Sequence, residues 1–343
     1  MSLVSSSPIL LTGITGYIGS RIAVDLLNRG YAVRGTMRNP AKAEKVTALI
    51  AKHAPTDKLT TARADLLDAD SWAAAVDGCE YVLHVASPVM AGVPKDPNEL
   101  IAPAREGTLN VLRAATAAGV KRVVLTSSMA AVAYGLDGTP DQPIAEDRWT
   151  DPAHPDNTPY TQSKAYAEKA AWDYVNATPG APELTTVNPG AVLGPLLGNN
   201  PSESLLIVQK MMKGEFPGLP KLGFMVVDVR DVSDLHLRAL ESPDAAGERF
   251  LAGGDYWTMK EIAEYLGQTY PAYSKKLPTR QLPNWLLRIF AMVDADTKGI
   301  LTELGKRRAV SSDKARTRLS WSPRPAREAI KATADDMIEL GLL

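Results

Sequence analysis

A chain of 343 residues exceeds the ~250–300 at which a single hydrophobic core stops growing, so one large domain with an appendage, or two domains, is expected. Its 45% hydrophobic content and net charge of −1 fit a globular protein and give no basic excess for nucleic acid or an anionic membrane. The lone Cys79 excludes an intrachain disulfide, fits a reducing cytoplasm and reads as a small buried residue; no apolar run nears the ~20 residues of a membrane span, no basic stretch precedes an apolar run at the start, and no metal site is expected.

Ile9, Leu10 and Leu11 form a short apolar run, glycines follow at 13, 16 and 19, and Ile18, Ile22, Leu26 and Leu27 then recur at helical spacing. Gly30 is placed to stop that helix, and 31–37 reads as a second strand, so the unit is βαβ. Alone the glycines could make an ordinary tight turn. Between a strand and a helix they describe a pyrophosphate site, because missing Cβ atoms admit the phosphates and the helix end offers unpaired N–H donors. The second strand ends at Arg38-Asn39-Pro40, with Asn39 an N-cap and Pro40 a first helical residue. An acid at that strand end would bind a ribose 2'-hydroxyl; Arg38, with Lys42 and Lys45 nearby, favours the 2'-phosphate of NADP.

Strands are predicted at 59–64, 81–86 and 122–126, with helices at 68–76 and 99–118, the latter with Pro103 as an alternative start. The strand ends at Asp65-Leu66, at residues 86–90 and at Thr126 should border the cofactor, since ligands of parallel sheets lie at carboxyl ends. His84 reads as a satisfied core histidine. Residues 135–159 lack apolar periodicity and form a long surface loop. A helix over 160–176 and a sixth strand over 184–187 follow, and then the alternation stops. Helices are expected at 201–213, at 258–266 with a Thr258/Glu261 capping box, and at 326–340; a strand at 224–227 and a helix at 231–241 should return to the first domain.

Tyr160 and Lys164 stand four apart on a helix, one turn apart on one face. A nearby ammonium favours the phenolate and brings a tyrosine of ordinary pKa ~10 into working range. A hydroxyl from Ser128, at the end of a neighbouring strand, could bond a substrate oxygen as charge develops on it.

The glycine turn, Ser128, and Tyr160 with Lys164 resemble the extended short-chain dehydrogenase/reductase family, as do Asn188-Pro189-Gly190, the 228–232 stretch Asp-Val-Arg-Asp-Val and the late Trp321-Ser322-Pro323-Arg324-Pro325. His84-Val85-Ala86-Ser87-Pro88, Val192-Leu193-Gly194-Pro195 and Arg38-Asn39-Pro40 are similar to its branch of dihydroflavonol, cinnamoyl-CoA and yeast aldehyde/ketone reductases. The resemblance implies an α/β fold, a Rossmann-type doubly wound parallel sheet with a smaller, mostly helical C-terminal substrate domain. It implies an NADP-binding domain over 1–190 and 223–250 and a substrate domain over 191–222 and 251–343. It further implies that Tyr160 donates the proton, Lys164 holds the nicotinamide ribose, and Ser128, rather than Ser127, positions the carbonyl. The cofactor would be NADPH, contacted by Thr12, Gly13, Thr15, Gly16, Tyr17, Ile18, Gly19, Arg38, Lys45, Asp65, Leu66, Val85, Ala86, Ser87, Thr126, Tyr160, Lys164, Pro189, Gly190 and Val192.

Ala104 stands where many epimerases of the family carry an Asn. The expected activity is hydride transfer to an aldehyde or ketone, reversible as alcohol oxidation, by a monomer or homodimer acting on a small molecule. The alternatives are a nucleotide-sugar epimerase or dehydratase with retained NAD, and a nonenzymatic NADP sensor, which the Tyr/Lys pair disfavours. Met90, Ala133, Tyr134, Val192, Leu196 and Phe224 are either walls of an apolar pocket or ordinary core.

Overall fold

The computed structural model describes residues 7–88, 94, 96–136, 139, 141–199, 202–292 and 295–343, with 295 and 296 as backbone only; Met90 lies outside them. The first half alternates β1 (Ile9–Thr12), α1 (Tyr17–Asn28), β2 (Val33–Met37), α2 (Ala43–Ile50), β3 (Leu59–Arg63), α3 (Ser71–Val76), β4 (Tyr81–His84), α4 (Asn98–Ala117) and β5 (Arg122–Thr126). Next come α5 (Pro159–Ala177), β6 (Glu183–Pro189), β7 (Ala191–Leu193), α6 (Glu203–Lys213), β8 (Gly223–Asp228), α7 (Val229–Glu241), β9 (Arg249–Ala252) and β10 (Asp255–Thr258). Five helices close the chain: α8 (Met259–Thr269), α9 (Asn284–Phe290), α10 (Ala295–Ile300), α11 (Asp313–Leu319) and α12 (Ala326–Glu339).

Among the described residues the main sheet is parallel, in the order β3-β2-β1-β4-β5-β6-β9, the doubly wound arrangement that places a ligand crevice beyond the carboxyl ends of β1 and β4. Successive side chains of a strand face opposite ways, so a sheet covered on both sides needs apolar residues at every position. Ile9, Leu11, Leu83, Val124 and Phe250 accordingly meet α1, α7 and α11, while Leu10, Val82, Val123 and Leu184 meet α3, α4 and α5. A second core joins α6, α8 and α12 to Leu193 and Val226 of a three-stranded sheet ordered β10-β8-β7.

The strand expected to return to the first domain therefore does not: β8 pairs with β7 and β10, and only α7 packs against the main sheet. The returning strand is β9, a four-residue segment too short to show periodicity. Strand β4 stops at His84 instead of 86 because the Val85 and Ala86 N–H groups donate to the Thr12 hydroxyl. Helix α4 begins ahead of Pro103, which lies inside it. The Thr258/Glu261 capping box forms, and Asn39 caps the turn that opens at Pro40.

Candidate active site

At the end of β1, Gly13 has φ +72°, and a Cβ there would lie 3.0 Å from the Ala86 backbone. A Cβ on Gly19 would lie 2.3 Å from the Gly13 carbonyl, so the loop folds against the first turn of α1 only because both are glycine. Gly16 precedes α1 without a side-chain cap, leaving the first-turn N–H groups of Tyr17, Ile18 and Gly19 without intrahelical partners. A shallow backbone cradle at a helix N-terminus fits the pyrophosphate of a dinucleotide. Exposed Arg38 follows β2 with no hydrogen-bond or ion-pair partner among the described residues, and exposed Lys45 lies on α2.

Several residues expected to touch the cofactor direct their side chains into the scaffold instead. Thr12 is fully buried: its hydroxyl accepts from Val85 and Ala86 N (3.0 and 2.9 Å), so its own hydrogen goes to Nδ1 of His84, 2.8 Å away. His84 is 1% exposed, and burial pulls its pKa down to about 3, which keeps it neutral as a core histidine. Thr126 similarly bonds Nε2 of buried His236 at 2.7 Å, pinning β5 to α7. The Tyr17 ring is wedged between the two cores, where burial pushes its phenol well up, and Val192 is core. Asp65 caps its own turn through Leu67 N (3.0 Å), and Leu66 packs so closely on α4 that a Cβ on Gly107 would meet it at 2.9 Å. Pro189 is buried, and Gly190 is required by the β8 backbone: a Cβ there would lie 2.2 Å from the Met225 carbonyl. Half-buried Thr15 lies in the glycine turn.

The chemistry-bearing side chains converge from three elements. Thr158 caps α5 through Thr161 N, and Pro159 opens it, which places Tyr160 in the first turn and Lys164 one turn on. Ser128, following β5, has its hydroxyl close enough to the Tyr160 phenol to favour the phenolate, while it accepts from Ala130 N at 3.1 Å. Lys164 Nζ donates to Ser87 Oγ at 2.7 Å and lies 5.6 Å from the centre of the Tyr160 ring. Ser127 points away, donating to buried Glu168 at 2.5 Å. Tyr160 retains 46% exposure, open to an incoming substrate.

The electrostatics differ from expectation in one respect. Enclosure by the cleft walls pushes the Tyr160 phenol up; the Ser128 hydroxyl opposes this, and the Glu203 carboxylate at the start of α6 adds to it. The Lys164 ammonium, expected to lower it, is directed at Ser87. Desolvation brings Lys164 down to about 8, with Glu203 opposing.

On the far side of the cleft the sequence reading missed a charged framework. Arg308 pairs with Glu303 through two 2.7 Å bonds, donates to the Ala133 and Leu136 carbonyls and lies 4.9 Å from the centre of the half-buried Tyr134 ring. Glu303, and more weakly Tyr160, raise the Tyr134 phenol beyond what burial does. Of the expected pocket walls, Ala133, Val192 and Leu196 are core and Phe224 packs on the second core, which leaves Tyr134 beside the chemistry. No helix among the described residues is long and apolar enough to cross a membrane.

The chain is similar to known proteins in sequence and fold. The profile of the NAD dependent epimerase/dehydratase family matches residues 9–253. Cinnamoyl-CoA reductase 1 of Petunia hybrida is 36% identical over 282 residues, 82% of each chain. Tetraketide alpha-pyrone reductase 2 of Arabidopsis thaliana is 38% identical over 277 residues, 78% of this chain and 84% of its own. The yeast methylglyoxal/isovaleraldehyde reductase Gre2, solved with NADPH, matches with a TM-score of 0.82 at 26% identity, over 97% of this chain and 99% of that one. A glycine cradle, a Ser/Tyr/Lys cluster and these matches make the chain a member of the NAD dependent epimerase/dehydratase family, the extended short-chain dehydrogenases/reductases.

Proposed function

We propose that the protein is an NADPH-dependent reductase of aldehyde or ketone carbonyls, able to run in reverse as an alcohol dehydrogenase. The observation that carries this reading is the meeting of Ser128, Tyr160 and Lys164 in one open cleft. The reductase names of its relatives support reduction, and buried Ala104, where a relay Asn would stand, argues against epimerisation. The main sheet would hold the cofactor and the second core, with its helices, the substrate.

The bound cofactor would supply the hydride from its nicotinamide ring. Gly13, Gly16, Gly19 and the first turn of α1 would hold the pyrophosphate, and Arg38 with Lys45 the 2'-phosphate. Lys164 would leave Ser87 to hold the nicotinamide ribose. Ser128 donates a hydrogen bond to the carbonyl oxygen, and Tyr160, whose raised pKa keeps it protonated, delivers the proton to that oxygen as negative charge develops. Following NADPH absorbance with aromatic aldehydes, β-keto esters, flavanonols and CoA thioesters tests this reading: turnover of at least one class is expected. NAD retained through purification, with no NADPH consumption against any class, would overturn it in favour of an epimerase.

A further inference from the structure

Asn188, near the end of β6, belongs to none of the groups proposed to meet cofactor or substrate, yet it is 0% exposed with polar partners at both amide atoms. Its Oδ1 lies 3.0 Å from the Thr186 hydroxyl, and its Nδ2 donates to a Glu168 carboxylate oxygen at 2.6 Å and to the Ser128 carbonyl at 3.1 Å. An ionised carboxylate accepts only, so the amide cannot flip without setting Oδ1 against Oε2 of Glu168. Glu168 is itself clamped. Ser127 donates to the same oxygen as Asn188, and Arg249 Nε donates to the other at 2.7 Å.

Resting on the reductase reading above, we infer that Asn188 is a positioning residue for Ser128. Besides the local bonds that the Ser128 carbonyl and hydroxyl accept from Ala131 N (3.0 Å) and Ala130 N (3.1 Å), the peptide around that serine has three tethers to other elements: Ser127 N–H to the Val187 carbonyl at 2.8 Å, Ser127 Oγ to Glu168, and the Ser128 carbonyl to Asn188. Two of the three originate on β6 and the third on α5, which also carries Tyr160 and Lys164. Asn188 joins the two origins, because one amide nitrogen serves both Glu168 of α5 and the Ser128 peptide. Its effect is to hold the Ser128 hydroxyl in register with the Tyr160 phenol. Loss of that register costs transition-state alignment, and displacements of about 1 Å cost on the order of 100-fold.

The test is a double-mutant cycle on NADPH oxidation, with 4-nitrobenzaldehyde as the probe carbonyl and NADPH binding followed by fluorescence. Asn188→Ala is expected to lower kcat roughly 10- to 100-fold while the NADPH Kd stays within about 2-fold. Asn188→Ser, which restores a short donor, provides a second variant should the alanine form fail to fold. In a Ser128→Ala background, which keeps the tethered carbonyl but lacks the hydroxyl, either substitution should lower kcat by no more than about 2-fold. An equal loss in both backgrounds would overturn the inference and make Asn188 a purely structural residue. A wild-type rate in Ser128→Ala alone would overturn the serine's role in the reductase reading, and the inference with it.

Discussion

The two walls of the cleft are built of different materials. The wall proposed to hold the cofactor is mostly backbone: a glycine turn and an uncapped helix end, with an exposed arginine side chain at a strand end. The wall around Ser128, Tyr160 and Lys164 is backed by side chains tied across long sequence distances, with Glu168 bound to Arg249, Arg249 to the carbonyls of Glu146 and Arg148, and Arg308 to Glu303 and the 133–136 segment. A site made of backbone can lose a ligand contact without losing the fold. A site held by buried charge cannot, because removing one partner strands the other.

The sharpest separation of chemistry from scaffold is Tyr160→Phe, which deletes one hydroxyl from an exposed ring. Turnover should fall by the ~100- to 10,000-fold typical of a lost positioned acid, with NADPH binding and the melting temperature unchanged. A variant that reduces carbonyls at near wild-type rate would remove the catalytic assignment.

The next effect should appear as stability. Arg249 Nε bonds Glu168, its Nη1 bonds two loop carbonyls, and its guanidinium lies 3.6 Å from the Trp149 ring centre. Arg249→Ala leaves the Glu168 carboxylate buried without its cation, so chemical denaturation should show a loss of about 3–5 kcal/mol. A loss below about 1 kcal/mol would mean that the long loop is held by other contacts and that the two walls do not differ as described.

These two substitutions also separate what the sequence discloses from what it conceals. Gly13, Gly16 and Gly19, and Tyr160 with Lys164, are local patterns whose spacing already implies their geometry, so a reader of the chain can place them. Glu168 and Arg249 are 81 residues apart and Arg308 and Ala133 are 175 apart, and no periodicity links either pair. Thr12, Thr126 and Tyr17 show the complementary case: they occupy motif positions, but which way a side chain turns depends on partners such as His84 and His236 brought in by tertiary pairing. Strands β9 and β10 were missed because four residues carry too little alternation to read.

On the cofactor wall, Arg38→Ala should leave the melting temperature untouched and weaken NADPH far more than NADH. The lost charge-assisted hydrogen bonds to a 2'-phosphate, at about 1.5–3 kcal/mol, correspond to roughly 10- to 100-fold. Equal catalytic efficiency with both cofactors in the wild type would show that Arg38 is a solvated surface charge.

The smallest effect concerns pH and joins the two walls at Lys164. Desolvation lowers this amine to about 8, so it is charged below that pH and neutral above it. In the proposed reaction the ammonium, once turned from Ser87, would stabilise the phenolate left when Tyr160 gives up its proton, and that support would be present below about 8 and lost as pH rises through it. Tyr160 does not account for such a break, because its own pKa is raised from the ordinary phenolic value and its loss of the proton falls at higher pH still. The profile of kcat/KM for reduction should therefore descend on its alkaline side near pH 8, by no more than about 10-fold per unit. Glu203 holds the Lys164 pKa up by its negative charge, so Glu203→Gln should move the descent to lower pH. A descent that moves upward in Glu203→Gln, or persists unmoved in Lys164→Met, would assign the titration to another group.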